Sequence, residues 1–199
     1  MVDELQVGLR GLSMSKNARE AILAAARQMA QSHGYGGLNF RDLASAVGIK
    51  AASIYYHFEN KADLGAAVAQ RYWEDTAADL DDLLAASPDP KTALRQYPQI
   101  FRRSLESGNR LCLGSFMSAE YDDLPDIVTK QVQAFADVNV AWLGKVLSAA
   151  ALADTGRTED RARAIFAAVA GAQLLARSRS DIGLFDSLME NYRAAGLLP

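Results

Sequence analysis

Apolar side chains recur at three- and four-residue spacing along almost the whole chain, and no stretch alternates with the period of two that a half-buried strand requires. A chain patterned this way buries its apolar faces helix against helix, so the fold class is all-α. Start and stop signals divide it into about nine helices. Asn17 with Glu20 resembles a capping box ahead of Ile22, Ala25, Ala26, Met29 and Ala30, and Gly34 is a natural stop. Asn39 and Asp42 open a short helix carrying Leu43, Ala44 and Val47, closed by Gly48. A third helix, over about 51–58, turns Ile54 and Phe58 inward. Asn60 and Asp63 cap a longer one with Leu64, Val68, Tyr72, Leu80 and Leu84 on its inner face, ending before Ser87-Pro88-Asp89-Pro90.

Beyond that break the spacing predicts a helix over 91–106 kinked at Pro98, and a short segment over 113–120. A long helix starts near Pro125 with the stripe Val128, Val132, Phe135, Asn139, Trp142 and Val146. Thr158 opens another, carrying Ile165, Phe166, Val169, Ala170, Gln173 and Leu174. The last carries Phe185, Leu188, Met189 and Tyr192.

Composition removes several function classes. A lone cysteine, Cys112, forbids an internal disulfide and a multi-thiolate metal cluster, which fits a reducing cytoplasm. The longest apolar run, 165–176, is too short to span a bilayer and contains Gln173, and the first residues lack the pattern of a signal peptide, so a cytoplasmic location without membrane attachment is expected. With two histidines and one cysteine no metal-ligand spacing exists. His33 and His57 support no serine–histidine–acid set, so no catalytic residue and no cofactor is assigned. The net charge of −3 is unevenly spread. Residues 13–61 hold six basic side chains against three acidic ones, while residues 62–199 hold fourteen against nineteen. A positive quarter on an acidic body suggests one face that meets an anion.

That quarter contains the informative stretch, residues 34–64, GYGGLNFRDLASAVGIKAASIYYHFENKADL. It reads as helix, glycine turn, helix. The second short helix sets an inner edge of Ile54 and Phe58 against an outward set of Lys50, Ser53, Tyr56 and His57. Such a helix fits the major groove of DNA, and Lys61 at the capped start of the next helix suits a phosphate. This is helix-turn-helix logic, in which the second helix reads and the first braces it. Gly34, Gly36 and Gly37 are a helix stop and turn, because no strand precedes them and no Gly-Lys-Ser/Thr follows.

The motifs Arg19-Glu20-Ala21-Ile22-Leu23, Gly34-Tyr35, Arg41-Asp42-Leu43-Ala44, Ala46-Val47-Gly48-Ile49, Ser53-Ile54-Tyr55-Tyr56-His57-Phe58 and Lys61-Ala62-Asp63-Leu64 are specific in combination. Over residues 17–64, about a quarter of the chain, they resemble the DNA-binding domain of TetR-family (tetracycline-repressor-like) transcriptional regulators. The resemblance implies an N-terminal arm over 1–14, a three-helix helix-turn-helix DNA-binding domain over 15–62, and an effector-binding and dimerisation domain over 63–199. It implies that Arg41 reaches a base edge or phosphate, that Lys50, Ala51, Ala52 and Ser53 face the groove, that Tyr55, Tyr56 and His57 line the backbone, and that Lys61 holds a phosphate. Many members carry Ser or Thr where Lys50 stands and Gly where Ala52 stands, so the operator is this chain's own. Residues 109–125 are similar to a segment shared by one subset of the family.

The resemblance further implies a homodimer on double-stranded DNA, ligand-responsive and a repressor, with the helices over 158–177 and 182–195 forming the dimer contact. Ala162, Ala167, Ala170 and Gly171 suit close packing there or within the chain. Phe101, Phe116, Met117, Tyr121, Phe135 and Trp142 are candidates to line a pocket for an unidentified small-molecule effector, and each also suits ordinary core. Cys112 is open to two readings: a redox or electrophile sensor with its pKa lowered by Arg110, or an inert small hydrophobe. A small helical enzyme would need a polar constellation in residues 62–199, and none is visible.

Overall fold

The computed structural model describes the backbone of residues 2–152 and 156–199, and side chains from Asn17 onward. Ten α-helices and one 3-10 turn account for nearly all of it, and the described residues contain no strand. They are α1 (Val2–His33), α2 (Phe40–Val47), α3 (Ala51–His57), α4 (Lys61–Ala86), α5 (Pro90–Gln96), α6 (Pro98–Glu106), α7 (Leu113–Ser118), α8 (Asp126–Ala149), α9 (Thr158–Arg179) and α10 (Ile182–Ala194), with the 3-10 turn at Tyr121–Asp123. Counting α5 and α6 as one helix bent at Pro98 returns the expected nine. Proline there has no amide hydrogen to continue the ladder, so the helix divides instead of only kinking.

The cap signals act where side-chain oxygens reach free amides. Asn39 accepts from the N–H groups of Arg41 and Asp42, Asn60 from Asp63, Asp89 from Thr92 and Asp181 from Leu184. Asn17 and Glu20 behave differently. The helix runs unbroken from Val2, so they lie inside α1 and open nothing, and residues 2–14, expected as an arm, are helical. Met1 and the side chains of residues 2–16 lie outside the described residues. Arg157, not Thr158, occupies the cap position of α9.

Two packed regions share one continuous core. Ile22 and Ala26 of α1, Leu38, Leu43 of α2, Ile54 of α3, Phe58 and Leu64 of α4 close a small head. α4 leaves the head and packs along α8, α8 packs on α9, and α9 on α10. The inner faces of α4 and α8 follow the expected stripes, and Val128, Val132, Phe135, Asn139, Trp142 and Val146 are all buried. Inside the body an aromatic cluster joins Tyr72, Tyr97, Phe101, Phe135, Trp142 and Phe166, with Tyr97 stacked on Trp142 at 5.7 Å. Its buried polar groups are matched apart from the Trp142 indole N–H, which has no acceptor: the Tyr97 hydroxyl donates to Asn139 Oδ1 at 2.9 Å, and Gln173 accepts from the Cys112 N–H while donating to the Phe101 carbonyl.

α9 departs from expectation at one position. Its inner face is Ala162, Ile165, Val169, Ala172, Gln173 and Ala176, and Leu174, a further 100° around, is 57% exposed. Ala167 and Gly171 lie on the exposed side with it, Ala162 is buried within the chain, and Ala170 is half-buried. Among the described residues no helix is long and apolar enough to cross a membrane, and no cluster of three His, Cys, Asp or Glu side chains is placed to hold a metal ion.

Candidate nucleic-acid interface

α2 and α3 meet through Gly48, whose φ of 75° is left-handed and whose N–H, with that of Ile49, closes on the carbonyls of Ala44 and Ser45. This turn sets α3 across α2 with Ile54 as its only buried residue. The rest of α3 is free. Lys50, Ala51, Ala52, Ser53, Tyr55 and Tyr56 are exposed and His57 is half-buried, and Arg41 is exposed at the start of α2. Tyr55 rests against Phe40 at 4.8 Å, whereas Tyr56 is 80% exposed and touches only the edge of His57 among the aromatic rings. A tyrosine held out in water on a seven-residue helix has no packing role within the chain. Lys50, at the cap position of α3, carries its ammonium on an exposed side chain.

Lys61 sits at the start of α4, beside this face. Its ammonium donates to the Gly36 carbonyl at 2.9 Å and lies 4.7 Å above the Tyr35 ring. It therefore holds the turn between α1 and α2. An ammonium has three donors, so one bond to Gly36 leaves two for an anion.

The same turn is gripped from the body. Glu120, just after α7, accepts the N–H of Tyr35 at 2.7 Å on one carboxylate oxygen and that of Gly36 at 3.2 Å on the other. Gly34 has a φ of +71°, and a Cβ there would meet the Glu120 carboxylate at 2.3 Å, so the position needs glycine twice over. Tyr35 in turn fills a notch above Gly65, where a Cβ would come within 2.7 Å of its ring. Sequence reasoning placed the glycines in a turn but missed their partner. The GYGG run marks the backbone side of this clasp, and nothing local marks the acid that completes it 85 residues away.

The residues expected to line an effector pocket do not come together as one. Phe101, Met117, Phe135 and Trp142 are buried, but in the aromatic core. Beside Met117 and Phe135 the packing leaves no space that would admit a water molecule, against the ~300–1,000 Å³ of ligand sites. Phe116 is half-buried under the Arg177 guanidinium, 4.8 Å from its ring. Tyr121 is 60% exposed, because the 3-10 turn that aims Glu120 at the head turns Tyr121 away from the core.

Cys112 is buried, with Sγ 2.8 Å from the Ser115 hydroxyl. Burial pushes its thiol up to about 11, against a smaller opposite pull from Ser115, and Arg110 plays no part. Of the two readings of Cys112, its burial and this shift support the inert small hydrophobe. Native protein at pH 8 is expected to react with iodoacetamide about 100-fold more slowly than the guanidinium-unfolded chain, as the shift in thiolate fraction requires. Equal rates in a stopped-time mass assay would show that the thiol is neither buried nor neutral.

A family model described as "Bacterial regulatory proteins, tetR family" matches residues 22–68. The fold is similar to the crystal structure of a TetR transcriptional regulator from Legionella pneumophila, at 31% identity, covering 88% of this chain and 95% of that one, with a TM-score of 0.83. It is also similar to a TetR-family transcriptional regulator from Agrobacterium tumefaciens, at 27% identity over 89% and 96% of the two chains, with a TM-score of 0.82. Among sequence relatives, the HTH-type transcriptional repressor NemR of Escherichia coli K12 is 26% identical over 82% of this chain and 86% of its own. The HTH-type transcriptional repressor DhaR of Mycobacterium sp. strain GP1 is 28% identical over 57% of each chain, so the chain matches little more than half the length of that relative.

Proposed function

The chain belongs to the TetR family of DNA-binding transcriptional regulators, and from that premise we propose that it is a homodimeric, ligand-responsive repressor that reads a palindromic operator with α3. A chain of this family is a regulator and not an enzyme. Two relatives are named as repressors, which supports repression over activation. The observation that carries the reading is α3 itself: one residue inward, and Lys50, Ala51, Ala52, Ser53 and Tyr56 outward on a helix narrow enough for the major groove. Arg41 serves the groove from α2, Tyr55, Tyr56 and His57 the backbone, and Lys61 a phosphate. Residues 15–62 act as the DNA-binding domain and 63–199 as the effector and dimerisation domain, in a cytoplasmic protein.

The dimer contact falls on α9 and α10. Ala167, Gly171, Leu174 and Leu175 are exposed on one side of α9, an apolar surface with nothing over it among the described residues. Two recognition helices related by a two-fold axis then meet half-sites about one helical turn, or a multiple, apart.

The test selects bound fragments from genomic DNA and measures affinity for the enriched site against salt. Lys61→Ala is expected to weaken binding to every sequence and to lower the salt slope by roughly one contact per half-site. Changes at Lys50 or Ser53 are expected instead to shift the preferred base by about 1–3 kcal/mol at one position. No enriched palindrome, or uniform weakening from the Lys50 and Ser53 changes, would remove α3 from its role.

A further inference from the structure

A polar opening on the molecule lies outside the aromatic core. It is a cleft of about 480 Å³ where α1 of the head, α4 and α6 of the body converge. That volume lies within the range of small-molecule sites. Leu23, Val68 and Tyr72 line its bottom, nearly closed over, and the half-buried Ile100 beside them offers open apolar surface. Its walls carry four arginines and three carboxylates. Three of the arginines are already matched. Arg27 pairs with Asp75 at 3.1 Å and lies over the Tyr72 ring, Arg71 bridges Glu20 at 2.9 Å and Asp75 at 2.8 Å, and Arg103 meets Asp79 at 3.3 Å. Arg110 has no carboxylate partner among the described residues, although its backbone is fixed by a 2.9 Å bond from its N–H to the Ser104 carbonyl.

We infer that this cleft is the effector site and that it takes a small organic anion, a carboxylate on a one- or two-ring apolar body. The apolar body rests against Ile100 and the arginine stems of the walls, and the carboxylate meets Arg110, whose planar fork suits two parallel bonds to one carboxylate. Ser107 and Gln28, also in the lining, supply further donors. A cation meets surplus positive charge, and a neutral guest leaves the guanidinium unanswered. Because a guest touches α1, α4 and α6 at once, it binds differently to different angles between head and body, which is what a ligand needs in order to shift an equilibrium. This regulatory consequence rests on the repressor reading above; the binding chemistry does not.

The test follows the ¹⁹F line of 4-fluorobenzoate, with 4-fluorobenzamide as the uncharged control, in the presence of the full-length protein. Broadening by the native protein is expected for the acid, with affinity about tenfold or more above that of the amide. Arg110→Gln is expected to remove that preference, and Ala24→Leu, which fills the cleft from α1, to weaken both probes. No broadening at millimolar probe, equal binding of acid and amide, or binding indifferent to both substitutions would overturn the site. The same samples are titrated onto the selected operator: 4-fluorobenzoate is expected to weaken DNA binding, and probe binding without that effect would overturn the assignment as effector site. A native protein that binds no DNA without probe fails the repressor reading alone, since the probe measurement needs no DNA.

Discussion

Leu174→Asp is expected to convert the dimer into a monomer and to weaken operator binding by about a hundredfold or more. Leu174 is 57% exposed and Leu175 43%, on a side of α9 where Ala167 and Gly171 leave room for close approach. An ionised side chain buried between two copies of that face loses its water without gaining a partner, a cost of several kcal/mol. On the free monomer the same aspartate stays solvated, so the fold is unaffected and the loss falls on association. Each half-site must then be held alone, without the effective concentration that a linked second reading head supplies. Light scattering on the eluting protein reads the mass, and fluorescence anisotropy on the selected site reads the affinity. A variant that stays dimeric, or a monomer that binds the full site as tightly as the native protein, would move the interface off α9.

Gly34→Ala is expected to destabilise the protein by about 2–4 kcal/mol. Holding a side chain in the left-handed region costs about 1–2 kcal/mol. Displacing the Glu120 carboxylate leaves the part-buried N–H of Tyr35 without its acceptor and returns the exposed one of Gly36 to water, a further ~1–2 kcal/mol. The two contributions separate in a double-mutant cycle. In a Glu120→Ala background there is no carboxylate to displace, so Gly34→Ala should cost only the backbone contribution, and the coupling between the two sites should be about 1–2 kcal/mol. Denaturant midpoints at constant slope measure all four corners. An identical cost for Gly34→Ala in both backgrounds would mean that Glu120 does not hold the turn.

The parts of the molecule legible in its residues were those written in periodic or local terms. The stripe from Val128 to Val146 needs only 3.6-residue spacing to be read as one buried face, and Asn39, Asn60 and Gly48 announce helix ends because the groups they satisfy lie within a few residues. The start of α1 lies earlier than its local signal for the same reason: the Asn17–Glu20 signal is genuine in type, but the helix already runs unbroken from Val2. Leu174 was placed inside because an apolar residue beside a buried Gln173 looks like core, when in fact the buried amide is needed to tie α6 and α7 together and the leucine faces out. The effector pocket was the least legible part. Large aromatics in a body of this size suit a core and a pocket equally, and only packing decides. Glu120 shows the limit most directly, since a carboxylate meeting two backbone N–H groups far along the chain imposes no constraint on any side chain nearby.

Because α3 owes its placement to Ile54 within the helix, with Phe58 just beyond it, the cost of altering its outer face is close to nil for folding. Lys50, Ala51, Ala52, Ser53 and Tyr56 form a vocabulary that can be rewritten while the grammar of the head stays intact. A duplicated copy of this protein can thus drift to a new set of target genes through a handful of surface changes, each tolerated on the way.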